Sequence, residues 1–132
     1  MAEEMTGGCL CGAVRYRARG ITRSGHCHCR MCQKAGGAPV VSWASVPPDG
    51  FEVTSGTLAA YRSSARAFRH FCPKCGSQIT WREAENPKEI DISLATFDHP
   101  EKVTPQYHIY TSTQQPWLHI EDDLPRYPEG RH

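Results

Sequence analysis

Hydrophobic and polar positions alternate along much of this chain. In GAVRYRA (12–18) apolar and basic residues take turns, as they do in a strand with one buried face. APVVSWASV (38–46) is rich in β-branched residues and stops at Pro47-Pro48. GTLAAYRS (56–63), RAFRHFC (66–72) and SQITWR (77–82) read as three further strands, the last two joined by the tight turn CPKCG. EIDISLATF (89–97) and YHIYTS (107–112) follow, separated by a proline-containing loop. Helical periodicity is weak; one or two turns are expected near RMCQKAG, closed by Gly36-Gly37. The pattern predicts an all-β domain of roughly seven short antiparallel strands. Its inner face would bury Val14, Tyr16, Val41, Trp43, Leu58, Phe68, Phe71, Ile79, Trp81, Ile92 and Leu94.

Composition adds a need for cross-linking. Apolar residues make up 39% of the 132 positions, below the usual share, and 11 Gly with 10 Pro favour turns over core. A chain of this length without repeats or a long linker reads as a single domain, 1–132. Net charge is +1 with both signs mixed along the chain, which gives no electrostatic footprint for nucleic acid. The N-terminal MAEEMTGG has neither a basic nor an apolar stretch, and no run is apolar enough to span a membrane. A reducing cytoplasm is the expected location for the thiols.

Seven cysteines, an odd number, do not fit a pure disulfide framework. They fall into three groups: Cys9 and Cys11 as C-x-C; Cys27, Cys29 and Cys32 within GHCHCRMCQ; Cys72 and Cys75 as C-x-x-C followed by Gly76. Two sulfurs on one tetrahedral zinc stand about 3.8 Å apart, and a C-x-x-C turn closed by glycine can meet that spacing. A dithiol redox motif would expect a helix after the second cysteine, whereas GSQITWR has strand character. The central trio can meet one metal through very short loops, leaving the other two pairs to form a Cys₄ site. A second division, joining Cys29 and Cys32 to Cys72 and Cys75, is not excluded by spacing. In the first division one site is closed and the other keeps an exchangeable position, which is what thiol binding or Lewis-acid chemistry needs. His26 and His28 are the alternative fourth ligands, although alternation in an extended segment turns His28 away from its cysteine neighbours.

The ordered series GGCLCGAVRY, HCHCRMCQKAGG, RHFCPKCGSQI, DISLATFDHP and HIYT…W closely resembles the glutathione-dependent formaldehyde-activating enzyme family, which also includes centromere protein V. The likeness covers residues 7–127. It implies a zinc fold of the methionine sulfoxide reductase B type, a structural zinc on Cys9, Cys11, Cys72 and Cys75, and a catalytic zinc on Cys27, Cys29 and Cys32. It implies a carbon–sulfur lyase whose partner is a small-molecule thiol such as glutathione or its aldehyde adduct. Arg30 and Lys34 flank the trio as candidate clamps for the glutathione carboxylates, and His108 is a candidate proton shuttle. The rival expectations are a zinc-stabilised interaction module, a sulfoxide reductase using a free thiol, and a thiol redox sensor in which the Cys27–Cys32 cluster oxidises.

Overall fold

The computed structural model describes residues 3–130 and is mostly β. Its strands are β1 (Glu4–Gly8), β2 (Arg15–Arg19), β3 (Arg23–Cys27), β4 (Val41–Val46), β5 (Phe51–Ser55), β6 (Ala59–Arg62), β7 (Ala67–Phe71), β8 (Gln78–Glu83), β9 (Ile90–Ser93) and β10 (His108–Ile109). One helix, α1 (Arg30–Gly36), lies between β3 and β4. It starts on the Cys29 side chain and ends at Gly37, whose φ of 63° satisfies the left-handed cap, as the RMCQKAG-Gly pattern predicts. No helix among the described residues is long and apolar enough to cross a membrane.

Two sheets build the molecule. β1, β2 and β5 form a three-stranded antiparallel sheet, and seven strands run in the order β10-β3-β4-β9-β8-β7-β6. The expectation of a purely antiparallel fold needs one correction, because β10 pairs with β3 in parallel, His108 facing His26 and Ile109 facing Cys27. This needs a long crossover, here the chain from β4 to β9 and the loop after it. Ala44, Val46, Ile90 and Ile92 of the large sheet meet Met5, Tyr16 and Ala18 of the small one in the main core. Six of the eleven predicted core residues are fully buried: Val14, Tyr16, Trp43, Ile79, Ile92 and Leu94. Val41, Leu58, Phe68, Phe71 and Trp81 are half-buried; Leu58 packs at the margin of the main core, and Val41 and Trp81 pack on a second cluster.

A second, smaller cluster lies apart from that core: Cys27, Cys32 and Trp43, with Cys29, Val41, Trp81 and Ile109 packed on it. Three strands escaped the pattern, namely β1, β3 and β5. Strand β3 (RSGHC) has no aromatic or β-branched residue and is held by its neighbours instead, pairing along its whole length with β4. Gly25 is required there by close approach, since a Cβ would stand 2.2 Å from Cε1 of Tyr107. Replacing Gly25 by alanine is expected to cost about 2 kcal/mol through overpacking and to lower the melting temperature by several degrees. An unchanged melting temperature in a calorimetric scan would contradict the packing of Tyr107 on β3.

Candidate metal centres

The C-x-C and C-x-x-C pairs meet at the edge of the main core cluster, to which Cys9 and Cys72 belong. Cys9 and Cys11 follow β1, and Cys72 and Cys75 form the turn between β7 and β8. Their Sγ atoms all lie within 4.8 Å of one another, with Cys9–Cys11 at 3.7 Å and Cys11–Cys72 at 3.8 Å. That is the edge length of a tetrahedral ZnS₄ group with bonds of about 2.3 Å. Backbone donors converge on the sulfurs: Val14 N–H reaches Cys9 Sγ at 3.2 Å, and the N–H groups of Lys74 and Cys75 reach Cys72 Sγ at 3.4 and 3.5 Å. Such donors favour thiolates, the form a metal binds. Gly76, at φ 80°, lets the turn close so that its N–H bonds the Cys72 carbonyl at 2.8 Å. Ser77 joins the two halves, accepting from Leu10 N–H at 3.0 Å while its hydroxyl lies 3.2 Å from Cys75 Sγ. The hydroxyl and N–H of Ser77 pull the Cys75 thiol down to about 5.

The other three cysteines gather where β3 gives way to α1. Cys27 is the last residue of β3, Cys29 caps the helix, and Cys32 sits in its first turn, its N–H bonding Cys29 Sγ at 3.3 Å. The three Sγ atoms lie within 4.8 Å of one another. Hydrogen bonds from the Cys27 and Cys32 thiols, then the Cys32 N–H and the Arg69 charge, draw the Cys29 thiol down to about 2. The Cys29 and Cys32 sulfurs, then burial, push Cys27 up. All seven cysteines are free thiols grouped four and three, which is the division that locality favoured. Both donor sets suit a soft or borderline divalent cation such as zinc.

Neither neighbouring histidine completes the trio. His28 points to the other side of the chain, fully buried, with Nε2 2.8 Å from His108 Nδ1, and His108 Nε2 in turn lies 2.9 Å from Asp122 Oδ2. The Asp122 carboxylate accepts from His108 Nε2–H, and His28 and His108 share the other hydrogen bond of this relay. Burial, then the neighbouring His108, depresses His28 to about 4, so it stays neutral. His26 spends Nδ1 on Ser42 Oγ at 2.7 Å. Both ring nitrogens of His108 thus have internal partners on the far side of β3 from the sulfurs. Of the other histidines, His132 lies outside the described residues.

Arg30 is exposed and donates to Gln33 Oε1, which Gln115 also meets at 2.9 Å. Gln33 itself is buried and donates to the carbonyls of His28 and Thr113, tying α1 to the segment after β10. Lys34 is exposed in the last turn of α1. Arg69 was not anticipated from the sequence: it is buried, donates from Nη1 to Gln78 Oε1 at 3.0 Å and places Nη2 3.6 Å from Cys32 Sγ. Tyr110, just after the β10 residue that faces Cys27, holds a left-handed backbone at φ 57°, a conformation that costs a tyrosine about 1–2 kcal/mol. A cleft of about 450 Å³ lies between the two cysteine sites, bordered by Gly36 and Val41 on the trio's side and by Ser77 and Gln78 on the other. Ser42, Ser93 and Thr96 also line it, and no charged side chain does.

The chain matches, over residues 4–113, the family described as glutathione-dependent formaldehyde-activating enzyme. It is also similar to the crystal structure of a protein from Rhodobacter sphaeroides, with 25% sequence identity and a TM-score of 0.62. That match covers 76% of this chain and 92% of the other.

Proposed function

The chain belongs to the glutathione-dependent formaldehyde-activating enzyme family, and from that premise we propose that it is a zinc-dependent carbon–sulfur lyase-type enzyme acting on adducts of a small-molecule thiol with an aldehyde. The observation that carries this reading is the trio: three sulfurs converge while His26 and His28 are both engaged elsewhere. The fourth position around such a centre is open to an incoming ligand. Zinc bound there would supply a Lewis acid that favours thiolate over thiol in that ligand. Cys9, Cys11, Cys72 and Cys75 would hold a structural zinc. With seven sulfurs in two clusters none is left as a separate nucleophile, which argues against sulfoxide reductase chemistry.

The reaction is an addition and its reversal. A carbon–sulfur bond forms between the thiol and formaldehyde, the thiol proton ends on the former carbonyl oxygen, and nothing is oxidised. Trp43, Trp81, Val41 and Ile109 pack on the trio and give it a largely apolar wall, which strengthens its electrostatics. The neighbouring cleft offers room for the body of a thiol the size of glutathione. Lys34, exposed on α1, would meet a carboxylate of that thiol, and Arg30 would do so by leaving Gln33. His108 contributes by holding His28 rather than by meeting substrate. Free thiols of this kind suit a cytoplasmic setting.

The test is exchange spectroscopy of ¹³C-formaldehyde with glutathione, in which the adduct also forms without a catalyst. Zinc-loaded protein is expected to accelerate exchange between free formaldehyde and the S-hydroxymethyl adduct well beyond the buffer rate. A rate equal to buffer, with both metals bound, would favour the interaction-module reading instead.

A further inference from the structure

Arg69 carries a charge that the rest of the fold does not balance. It is 6% exposed, and among the described residues no carboxylate lies within ion-pair distance of it. Its Nε has no hydrogen-bond partner there. A guanidinium stripped of water is strongly unfavourable unless an anionic group faces it. Gln78 is neutral. What faces the other arm of the fork is Cys32 Sγ, and through it the whole trio.

We propose that Arg69 is the fixed counter-charge of the trio, a positioning residue that lets this centre accept an anionic thiolate as its fourth ligand. The inference rests on the trio being an open metal site for thiols. Three thiolates around a divalent cation sum to +2 − 3 = −1. A fourth thiolate adds another negative charge beside the apolar side chains of Trp43, Trp81 and Ile109, which screen it less than water does. Arg69 removes one unit of that repulsion before the ligand arrives. Water or a neutral donor gains nothing comparable, so the charge selects for thiolate. Arginine suits the task better than lysine, because one planar fork serves Gln78 and Cys32 together and Gln78 keeps it from swinging away. Gln78 also borders the cleft, so the residue that holds Arg69 lies where the body of a bound thiol would pass.

The experiment uses the full chain loaded with Co²⁺, with glutathione as the probe and the visible d–d and thiolate-to-metal bands as the readout. Wild type, Arg69→Met and Arg69→Lys are compared, with the fold checked by far-UV circular dichroism. Arg69→Met is expected to keep its metal and to bind glutathione about tenfold to a hundredfold more weakly, the scale of a lost charge-assisted contact. Arg69→Lys is expected to fall within about threefold of wild type, since charge is retained. Arg69→Gln replaces the methionine variant if that one does not fold. Equal glutathione affinity in the neutral variant would overturn the counter-charge and leave the proposed function standing. A lysine variant as weak as the neutral one would also overturn it, by showing that shape and not charge matters. Wild type whose spectrum ignores glutathione would sink both readings.

Discussion

Serine at positions 27, 29 and 32 together is expected to lower the zinc content from about two ions per chain to about one and leave the protein folded. The trio stands in its own small cluster with Trp43, outside the core formed between the two sheets. Serine at position 29 keeps the helix cap, because a hydroxyl accepts the Cys32-position N–H at least as well as sulfur does. Buried hydroxyls at 27 and 32 cost about 1–3 kcal/mol each, against a total stability of about 5–15 kcal/mol for a domain. On the proposed function, acceleration of thiol–formaldehyde exchange should drop by at least about a hundredfold, since the variant lacks the sulfurs that would hold the thiolate-stabilising metal. Zinc analysis, circular dichroism and exchange rates on the same preparation separate the outcomes. If the variant still binds as much zinc as anaerobically purified wild type and wild type holds two ions, the trio is not a metal site. If wild type itself holds one ion, the three sulfurs are a thiol cluster and the redox reading moves ahead of the lyase.

The sequence exposed the ligands more readily than their surroundings. Grouping of the seven cysteines, the short helix stopped by Gly37 and the turn closed by Gly76 all depend on residues close in the chain, and each follows from local chemistry. Strand β3 was hidden because its stability is borrowed: Gly25 is there to receive Tyr107, and a sequence of Arg, Ser, Gly, His and Cys has no propensity of its own to betray it. The alternation argument did place His28 away from the sulfurs, but its partner lies 80 residues on and is brought close only by the parallel pairing of β10 with β3. Arg69 was passed over for a different reason. A charged side chain in a short strand ordinarily reads as solvent-facing, but Arg69 shares its face of β7 with the buried Ala67, and that face meets the trio. Arg30 and Lys34, close to the trio in sequence, are exposed, whereas the cation that touches it comes from 37 residues away.

Cys72→Ser is expected to unfold the protein or leave it without native tertiary structure at room temperature. Cys72 is fully buried in the main core, beside Cys9 and Ile79. Its sulfur accepts two backbone N–H groups of its own turn and lies 3.8 Å from Cys11 across a separation of 61 residues. A metal bridging that separation acts as a cross-link, and closing a loop of this length restricts the unfolded chain by about 4 kcal/mol on the entropic scale used for disulfides. Apparent binding free energies of structural zinc sites reach about 10–16 kcal/mol, comparable to or larger than the stability of an ordinary domain. A low apolar content leaves little reserve to make up the loss. The trio variant provides the contrast, because removing three sulfurs there should do less harm than removing one here. Thermal melts of the two variants, run with and without a zinc chelator, decide the matter. Native-like melting of Cys72→Ser with one zinc retained would mean that the Cys₄ group is dispensable for folding. Chelation of wild type should then also leave it folded, and the division into a structural and a chemical centre would have to be reversed.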